Sequence, residues 1–256
     1  MKLTLVQGDC LKYLPKIPDE SIDLVVTSPP YNLGIDYGIC KDKLPWDEYY
    51  NWCESWLREI YRILKRDGRL CLNHYFSCGD SSFRTAPLME LYNVTKRIGF
   101  KHHSLAIWWD QTLCKLTAWG SWCNARAPYI NAPLEGILIM YKKIWRKLNS
   151  GKSTINKKSF IMGTTGIWKI QPETHNLTKS CFPIELPKLC IELLSYENDL
   201  VLDPFLGSGT TMLACLQTNR NCIGIEIEPK YVEICKKRLN WGSTLGDVEF
   251  KYELVS

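Results

Sequence analysis

Val201-Leu202-Asp203-Pro204-Phe205-Leu206-Gly207-Ser208-Gly209-Thr210-Thr211 is the stretch on which the reading turns. An apolar run closes on an acid, a Gly-rich turn follows, and helical spacing continues to about residue 218. Glycines let the backbone come close to a ligand, and the helix start behind them presents free amides. The spacing is not Gly-x-Gly-x-x-Gly, and lysine is missing where a P-loop needs one, so neither a dinucleotide nor a triphosphate is supported. The next strand, 221 to 225, runs into Glu226, the place where Rossmann-type sheets put a carboxylate that accepts hydrogen bonds from two ribose hydroxyls. Turn and carboxylate together fit a nucleoside-containing ligand without a pyrophosphate.

Working outward, strand-like and helix-like segments alternate. Residues 3 to 7 and 22 to 27 read as short buried strands, with one helical turn between them at 11 to 14. Apolar positions from Trp46 to Lys65 recur at helical spacing until Asp67-Gly68, and a strand at 69 to 73 follows. A helix over 83 to 98, a strand over 103 to 109 and another at 137 to 141 continue the series. Helices at 184 to 195 and 229 to 239 flank the Gly-rich unit. The alternation predicts a doubly wound, mostly parallel α/β sheet. Between about 110 and 135 it fails, where Trp119, Trp122, Pro128 and Pro133 break long elements, and after the strand at 137 to 141 come a basic stretch and a Gly/Thr-rich loop at 163 to 166. An insertion is expected there.

A second constellation, Thr27-Ser28-Pro29-Pro30-Tyr31-Asn32, stands at the carboxyl end of the strand that ends near Val26, where α/β sheets place their chemistry. Two prolines fix φ and lack amide protons, so the turn is rigid and offers carbonyl oxygens. Ser28 adds a hydroxyl and Tyr31 a flat ring. Such a pocket suits a planar group bearing an amino function, whose protons find acceptors and whose ring finds a face to stack on.

Composition narrows the class. The 256 residues are 45% hydrophobic and 23% charged, ordinary for one substantial core with an insertion. No apolar run reaches the roughly 20 residues of a membrane span, and an intracellular protein is expected. Twelve cysteines, scattered without CxxC or Cys/His spacing, read as reduced, mostly buried thiols rather than metal ligands. Net charge is +5. From Gly136 to Pro172 no Asp or Glu occurs while lysines and arginines cluster, the pattern that phosphate neutralisation requires.

These motifs resemble the β class of DNA amino-methyltransferases, in which an SPPY or DPPY motif precedes the target-recognition region and an FxGxG motif follows it. Here Ser28-Pro29-Pro30-Tyr31 comes first and Phe205-Leu206-Gly207-Ser208-Gly209 last. Gln7-Gly8-Asp9 looks like the family's adenine-contacting motif. The segment from Trp119 to Pro128 with Glu135-Gly136-Ile137-Leu138 is similar to one frequent in such enzymes, and His175 through Cys181-Phe182-Pro183 looks like the motif over the methionine end of the cofactor.

The resemblance implies a seven-stranded, circularly permuted methyltransferase sheet with a catalytic half at 1–109, a recognition insertion at 110–172 and a cofactor-binding half at 173–256. S-adenosylmethionine is the implied cofactor, with no metal, held by Asp9, Phe182, Pro183, Asp203, Pro204, Phe205, Gly207, Gly209, Thr210 and Glu226. Ser28, Pro29, Pro30 and Tyr31 would form the catalytic pocket for a base flipped out of double-stranded DNA. Arg126, Lys142, Lys143, Arg146, Lys147 and Lys152 are the expected DNA contacts. Serine at the head of the catalytic motif favours cytosine N4 over adenine N6. A protein-glutamine or RNA methyltransferase, and an inactive DNA-binding descendant, are the alternatives. A cytoplasmic, nucleoid-associated enzyme is implied, with a second copy of the chain and a cognate restriction endonuclease as open partners.

Overall fold

The computed structural model describes residues 1–35, 38, 42–79, 84–109, 120–130, 134–172, 182–242 and 248–255. Its strands are β1 (Lys2–Gln7), β2 (Ile22–Thr27), β3 (Leu64–Tyr75), β4 (Cys78–Gly79), β5 (Arg84–Thr85), β6 (Lys101–Trp108), β7 (Glu135–Tyr141), β8 (Ile167–Trp168), β9 (Leu200–Asp203), β10 (Asn221–Glu226) and β11 (Glu249–Leu254). The helices are α1 (Cys10–Tyr13), α2 (Trp46–Ile63), α3 (Pro87–Ile98), α4 (Lys157–Thr164), α5 (Glu185–Leu194), α6 (Thr210–Thr218) and α7 (Pro229–Arg238).

Nine strands form one sheet in the order β11-β1-β10-β9-β2-β3-β7-β6-β8, and β4 and β5 form a separate ribbon. All neighbours in the sheet pair in parallel except β7, which runs against both β3 and β6. The fold is therefore the mostly parallel, doubly wound α/β sheet that the alternation implied. It is wider than the expected seven strands: β11 extends one edge beside β1, and the two-residue β8 extends the other beside β6.

Successive side chains on a strand face opposite ways, and both faces are covered, so the central strands carry apolar residues on both faces. Val201, Cys71, Ile137 and Ile139 join one core under α5, α6 and α7. Leu202, Leu70, Leu72 and Leu138 join the other, under α1, α2 and α3. α2 starts after Pro45 with Asp47 and Glu48 in its first turn, where carboxylates favour the helix dipole, and buries Tyr49, Cys53, Trp56, Leu57, Ile60 and Ile63. At Leu64 the backbone becomes extended, five residues earlier than the strand that the pattern placed at 69.

Inside the region 110–172, residues 135–141 and 167–168 are strands of the main sheet, with β7 between β3 and β6. The Gly/Thr-rich loop is corrected in part: Gly163 and Thr164 close α4, and only beyond Thr165 does Gly166 turn the chain at φ +75°. Glycine is needed within that helix because a Cβ at Gly163 would lie 2.4 Å from Leu193 Cδ1. Nine cysteines among the described residues are free thiols, and all of those but Cys123 are buried.

Candidate active site

The sheet changes winding direction between β2 and β9. From β2 the chain crosses through α2 to β3 on one side, and from β9 it crosses through α6 to β10 on the other. The loops leaving the two strands therefore part, and such a switch point opens a crevice at the carboxyl ends. Ser28-Pro29-Pro30-Tyr31 and Phe205-Leu206-Gly207-Ser208-Gly209, separated by most of the chain, stand at its two lips.

On the lip beyond β9 and β10, Glu226 ends β10 and is 8% exposed. Its Oε2 accepts the Gly207 amide at 2.7 Å and its Oε1 accepts the Glu228 amide at 2.8 Å. Each oxygen keeps a lone pair for a further donor. Burial pushes its carboxyl up to about 7, against the pull of those two amides. Gly207 has φ +56°, a left-handed conformation, and a Cβ there would meet nothing within 4 Å. A bare backbone turn facing open space thus stands beside a buried carboxylate. Gln7 pairs with Glu226 across β1 and β10, which brings Asp9 next to this end, where its Oδ1 accepts the Leu11 amide and caps α1. Phe205 is half-buried against Trp52 and Trp56 of α2.

Four of the expected cofactor contacts, Asp203, Pro204, Gly209 and Thr210, are buried. Asp203 is 1% exposed and accepts Thr27 Oγ1 at 2.8 Å, Thr211 Oγ1 at 2.6 Å and the Phe205 amide at 3.0 Å, so it clasps the crevice from behind rather than lining it. Burial raises its carboxyl to about 6. Thr210 is buried, and Arg238 of α7 donates to its hydroxyl and to Ser208. Gly209, at φ +88°, is buried against Cys235, and Pro204 is buried with it. Pro183 and the half-buried Phe182 lead into α5, while His175 through Cys181 lie outside the described residues.

On the opposite lip, beyond β2, Ser28 is half-buried. The Pro30 carbonyl accepts the Tyr49 hydroxyl at 2.7 Å, whereas no described residue hydrogen-bonds the Pro29 carbonyl. Beyond them Asp42 accepts the amides of Asn32, Leu33 and Ile35, which fixes the exit of the loop. Tyr31 departs from the expectation of an open stacking face. It is 4% exposed, with its ring between His74 at 4.4 Å and Tyr75 at 5.0 Å. Its hydroxyl accepts from Ser28 Oγ at 2.6 Å and Asn73 Nδ2 at 2.8 Å and donates to Glu135 Oε2 at 2.7 Å. Burial, then the Glu135 charge, hold its phenol well above the ordinary range, so it stays protonated.

The basic stretch divides. β7 runs antiparallel, so its end at Tyr141 pairs with Arg69 and Lys101 at the starts of β3 and β6, the end of the sheet away from Ser28. Lys142 is buried there and donates to the carbonyls of Arg62 and Leu64. Lys147, its side chain 8% exposed, bridges Asp23 and Asp199. Lys152 pairs with Glu197, while Arg146 and Lys147 line a cavity of about 750 Å³ with Arg69 and Tyr196. As DNA contacts Lys142 and Lys147 are corrected, because desolvated ammonium groups already facing partners cannot meet phosphates. Lys143, Arg146 and Lys152 share their end of the sheet. Arg126 stands apart from them, exposed in a turn where the Ser121 amide donates to Ala127 and the Arg126 amide to Asn124. Tyr129 ties this turn to Gly79 beyond β3, on the carboxyl side.

A family model described as DNA methylase, of the N6 and N4 class, matches residues 22–237. The chain belongs to the DNA methylase family. It is 41% identical to the Type II methyltransferase M.MjaVI of Methanocaldococcus jannaschii over 172 residues, 67% of this chain and 87% of that one. Among solved structures, the Thermus thermophilus protein TTHA0409 in complex with S-adenosyl-L-methionine superposes with TM-score 0.76 at 26% identity, covering 99% of both chains. The cytosine-N4-specific PvuII DNA methyltransferase superposes with TM-score 0.72 at 25% identity, covering 93% of this chain and 87% of that one.

Sequence reasoning gave no functional role to Glu135, Asn73, Thr27 or Arg238. Glu135 carried two signals: it heads the family-like segment Glu135-Gly136-Ile137-Leu138, and it is the last carboxylate before the acid-free stretch that starts at Gly136.

Proposed function

We propose that this DNA methylase transfers a methyl group from S-adenosylmethionine to the N4 of a cytosine flipped out of double-stranded DNA. The observation that carries the reading is that Ser28 and Pro29 stand at the carboxyl end of β2, across the switch-point crevice from Glu226 and Gly207, and that among the described residues no donor reaches the Pro29 carbonyl. An exocyclic amine conjugated to its ring is a poor nucleophile. Acceptors that take both of its protons draw the nitrogen lone pair out of conjugation and aim it. The cofactor, when bound, supplies an electrophilic methyl on a sulfonium. Glu226 would hold the ribose hydroxyls, Gly207 would let the nucleoside lie against bare backbone, and Phe205 and Pro183 would bound it. No covalent intermediate with the protein is needed.

N4 is favoured over N6 by serine, rather than aspartate, at the head of the motif, and the PvuII relative is named cytosine-N4-specific. DNA would approach the carboxyl ends of the strands, where Arg126, Arg84 and the 75% exposed Trp122 stand; the recognition region would then centre on the excursion between β6 and β7. Unstacking the base costs a few kcal/mol, which phosphate contacts offset. Among the described residues no helix is long and apolar enough to cross a membrane, and a cytoplasmic setting suits a DNA substrate.

Incubation with labelled S-adenosylmethionine and mixed-sequence duplex DNA, then digestion to nucleosides and mass spectrometry, tests this. N4-methylcytosine is expected. N6-methyladenine would keep the site and reverse the base, and methylation of protein or RNA alone would overturn the reading.

A further inference from the structure

The buried polar group behind Ser28 has a fixed direction. Asn73 donates through Nδ2 to Glu135 Oε2 at 2.6 Å as well as to Tyr31 Oη, and Tyr31 donates its own proton to the same carboxylate oxygen. With Asn73 on one side, the Tyr31 oxygen has room for one more donor, and Ser28 Oγ fills it at 2.6 Å. Asn73 and Tyr31 are 2% and 4% exposed, so water does not compete for these bonds. Two strands hold the parts in register: Asn73 and Tyr75 lie on β3, and Tyr75 faces Glu135 on β7.

We infer that Glu135 is a positioning residue that acts through Tyr31 to make Ser28 an obligate acceptor toward the substrate amine, and that it takes the proton the reaction releases. The inference rests on the amino-methyltransferase reading. A free serine hydroxyl is donor and acceptor alike; here its proton is committed to Tyr31, so both lone pairs face outward, which gives a neutral hydroxyl the polarity of a carboxylate. The target nitrogen forms its bond to the incoming methyl while the sulfur keeps the electron pair of the bond that breaks. The methylated amine then carries one proton too many. That proton passes to Ser28 Oγ as the Ser28 proton passes to Tyr31 Oη and the Tyr31 proton passes to Glu135 Oε2. The carboxylate ends as a neutral acid, and the product amine is uncharged.

The test uses the full chain, single-turnover methylation of mixed-sequence duplex DNA and calorimetric titration of S-adenosylmethionine. Glu135→Gln and Tyr31→Phe are each expected to slow turnover about 100-fold, within the range of a lost proton-transfer group, while cofactor binding and DNA affinity stay within about twofold of wild type. Because both act on one relay, the double variant is expected to be no slower than either single one. Ser28→Asp, which brings an acceptor needing no relay, is expected to make turnover insensitive to Glu135→Gln. Multiplying losses in the double variant, equal losses of cofactor or DNA binding, or unchanged turnover in Glu135→Gln would each overturn the inference while wild-type methylation leaves the functional reading standing. A wild-type chain that methylates no DNA amine would overturn both.

Discussion

Thr27 donates its hydroxyl to Asp203 across 2.8 Å, and this one bond joins the ends of β2 and β9 at the point where the sheet changes direction. Behind it the strands pair directly, Leu24 with Val201 and Val25 with Leu202. The catalytic loop and the Gly-rich loop thus share a hinge-free root, although 176 residues separate the bonded pair. Removing the donor leaves a buried carboxylate short of one partner, which costs about 1–3 kcal/mol. Thr27→Val, close to threonine in shape, is therefore expected to lower stability by that amount in denaturant unfolding and to weaken cofactor binding, since both lips loosen together. Unfolding midpoints equal to wild type would refute the clasp.

Glu226 gives the site a pH dependence whose sign is set by burial. Its folded carboxyl titrates near 7, above the ordinary carboxylate value of 4.5. Between those two values the folded chain holds a proton that the unfolded chain has lost, so this group makes apo stability fall as pH rises through that window. Ribose hydroxyls need the ionised carboxylate as acceptor, so cofactor affinity runs the other way. From pH 8 to pH 6 it is expected to fall about tenfold, and Glu226→Gln should flatten the profile at weak affinity. Titration calorimetry across that range decides it; equal slopes in wild type and variant would reject the assignment.

The two glycines of the turn answer to different constraints. Gly207 needs a positive φ and faces open space, so Gly207→Ala is expected to cost only about 1 kcal/mol of folding stability but to weaken S-adenosylmethionine binding more than tenfold, because the methyl group enters the cradle. At Gly209 an added Cβ would lie 2.5 Å from Cys235 Sγ. Gly209→Ala should lose more stability, and Cys235→Ala in the same chain should restore part of it. Thermal melts with and without cofactor separate the two, and identical behaviour of both variants would contradict the geometry.

The sheet was legible because its strands are continuous apolar runs punctuated by glycine and proline. Asp67-Gly68 marked the end of α2 only approximately, since Leu64 and Lys65 carry helix-compatible side chains and tertiary pairing with Ile22 draws them into β3. β11 was missed because only Phe250 and Glu253 are half-buried and its other residues are exposed, which leaves no apolar face, as suits an edge. Ser28, Gly207 and Glu226 were singled out by local motif chemistry, and the fold brings them to the two lips of one crevice. Glu135 was not, because its role comes from β7 lying antiparallel beside β3, a pairing that spacing along the chain does not encode. The inward turn of Tyr31 was hidden for the same reason.

The basic stretch shows the same limit and supplies the sharpest contrast to measure. Lysines without acidic neighbours in sequence met acids in space: Lys147 reaches Asp23 and Asp199, and Asp23 is held below its usual range by Lys65, the Leu200 amide and Lys147. Because that carboxyl is depressed in the folded state, its contribution is present above about pH 4 and is lost as pH falls further. Lys147→Met should cost about 2–4 kcal/mol at neutral pH, less than a fully orphaned pair because Lys65 still serves Asp23, and the cost should shrink in acid. DNA affinity should not change. Arg126→Ala should do the reverse, leaving stability within about 0.5 kcal/mol and reducing both DNA affinity and its salt dependence by roughly one phosphate contact. Fluorescence anisotropy with labelled duplex DNA over a salt series, beside urea unfolding of the same two variants, makes the comparison. A salt slope lowered by Lys147→Met and untouched by Arg126→Ala would place the DNA at the amino ends of the strands and overturn the orientation argued from the crevice.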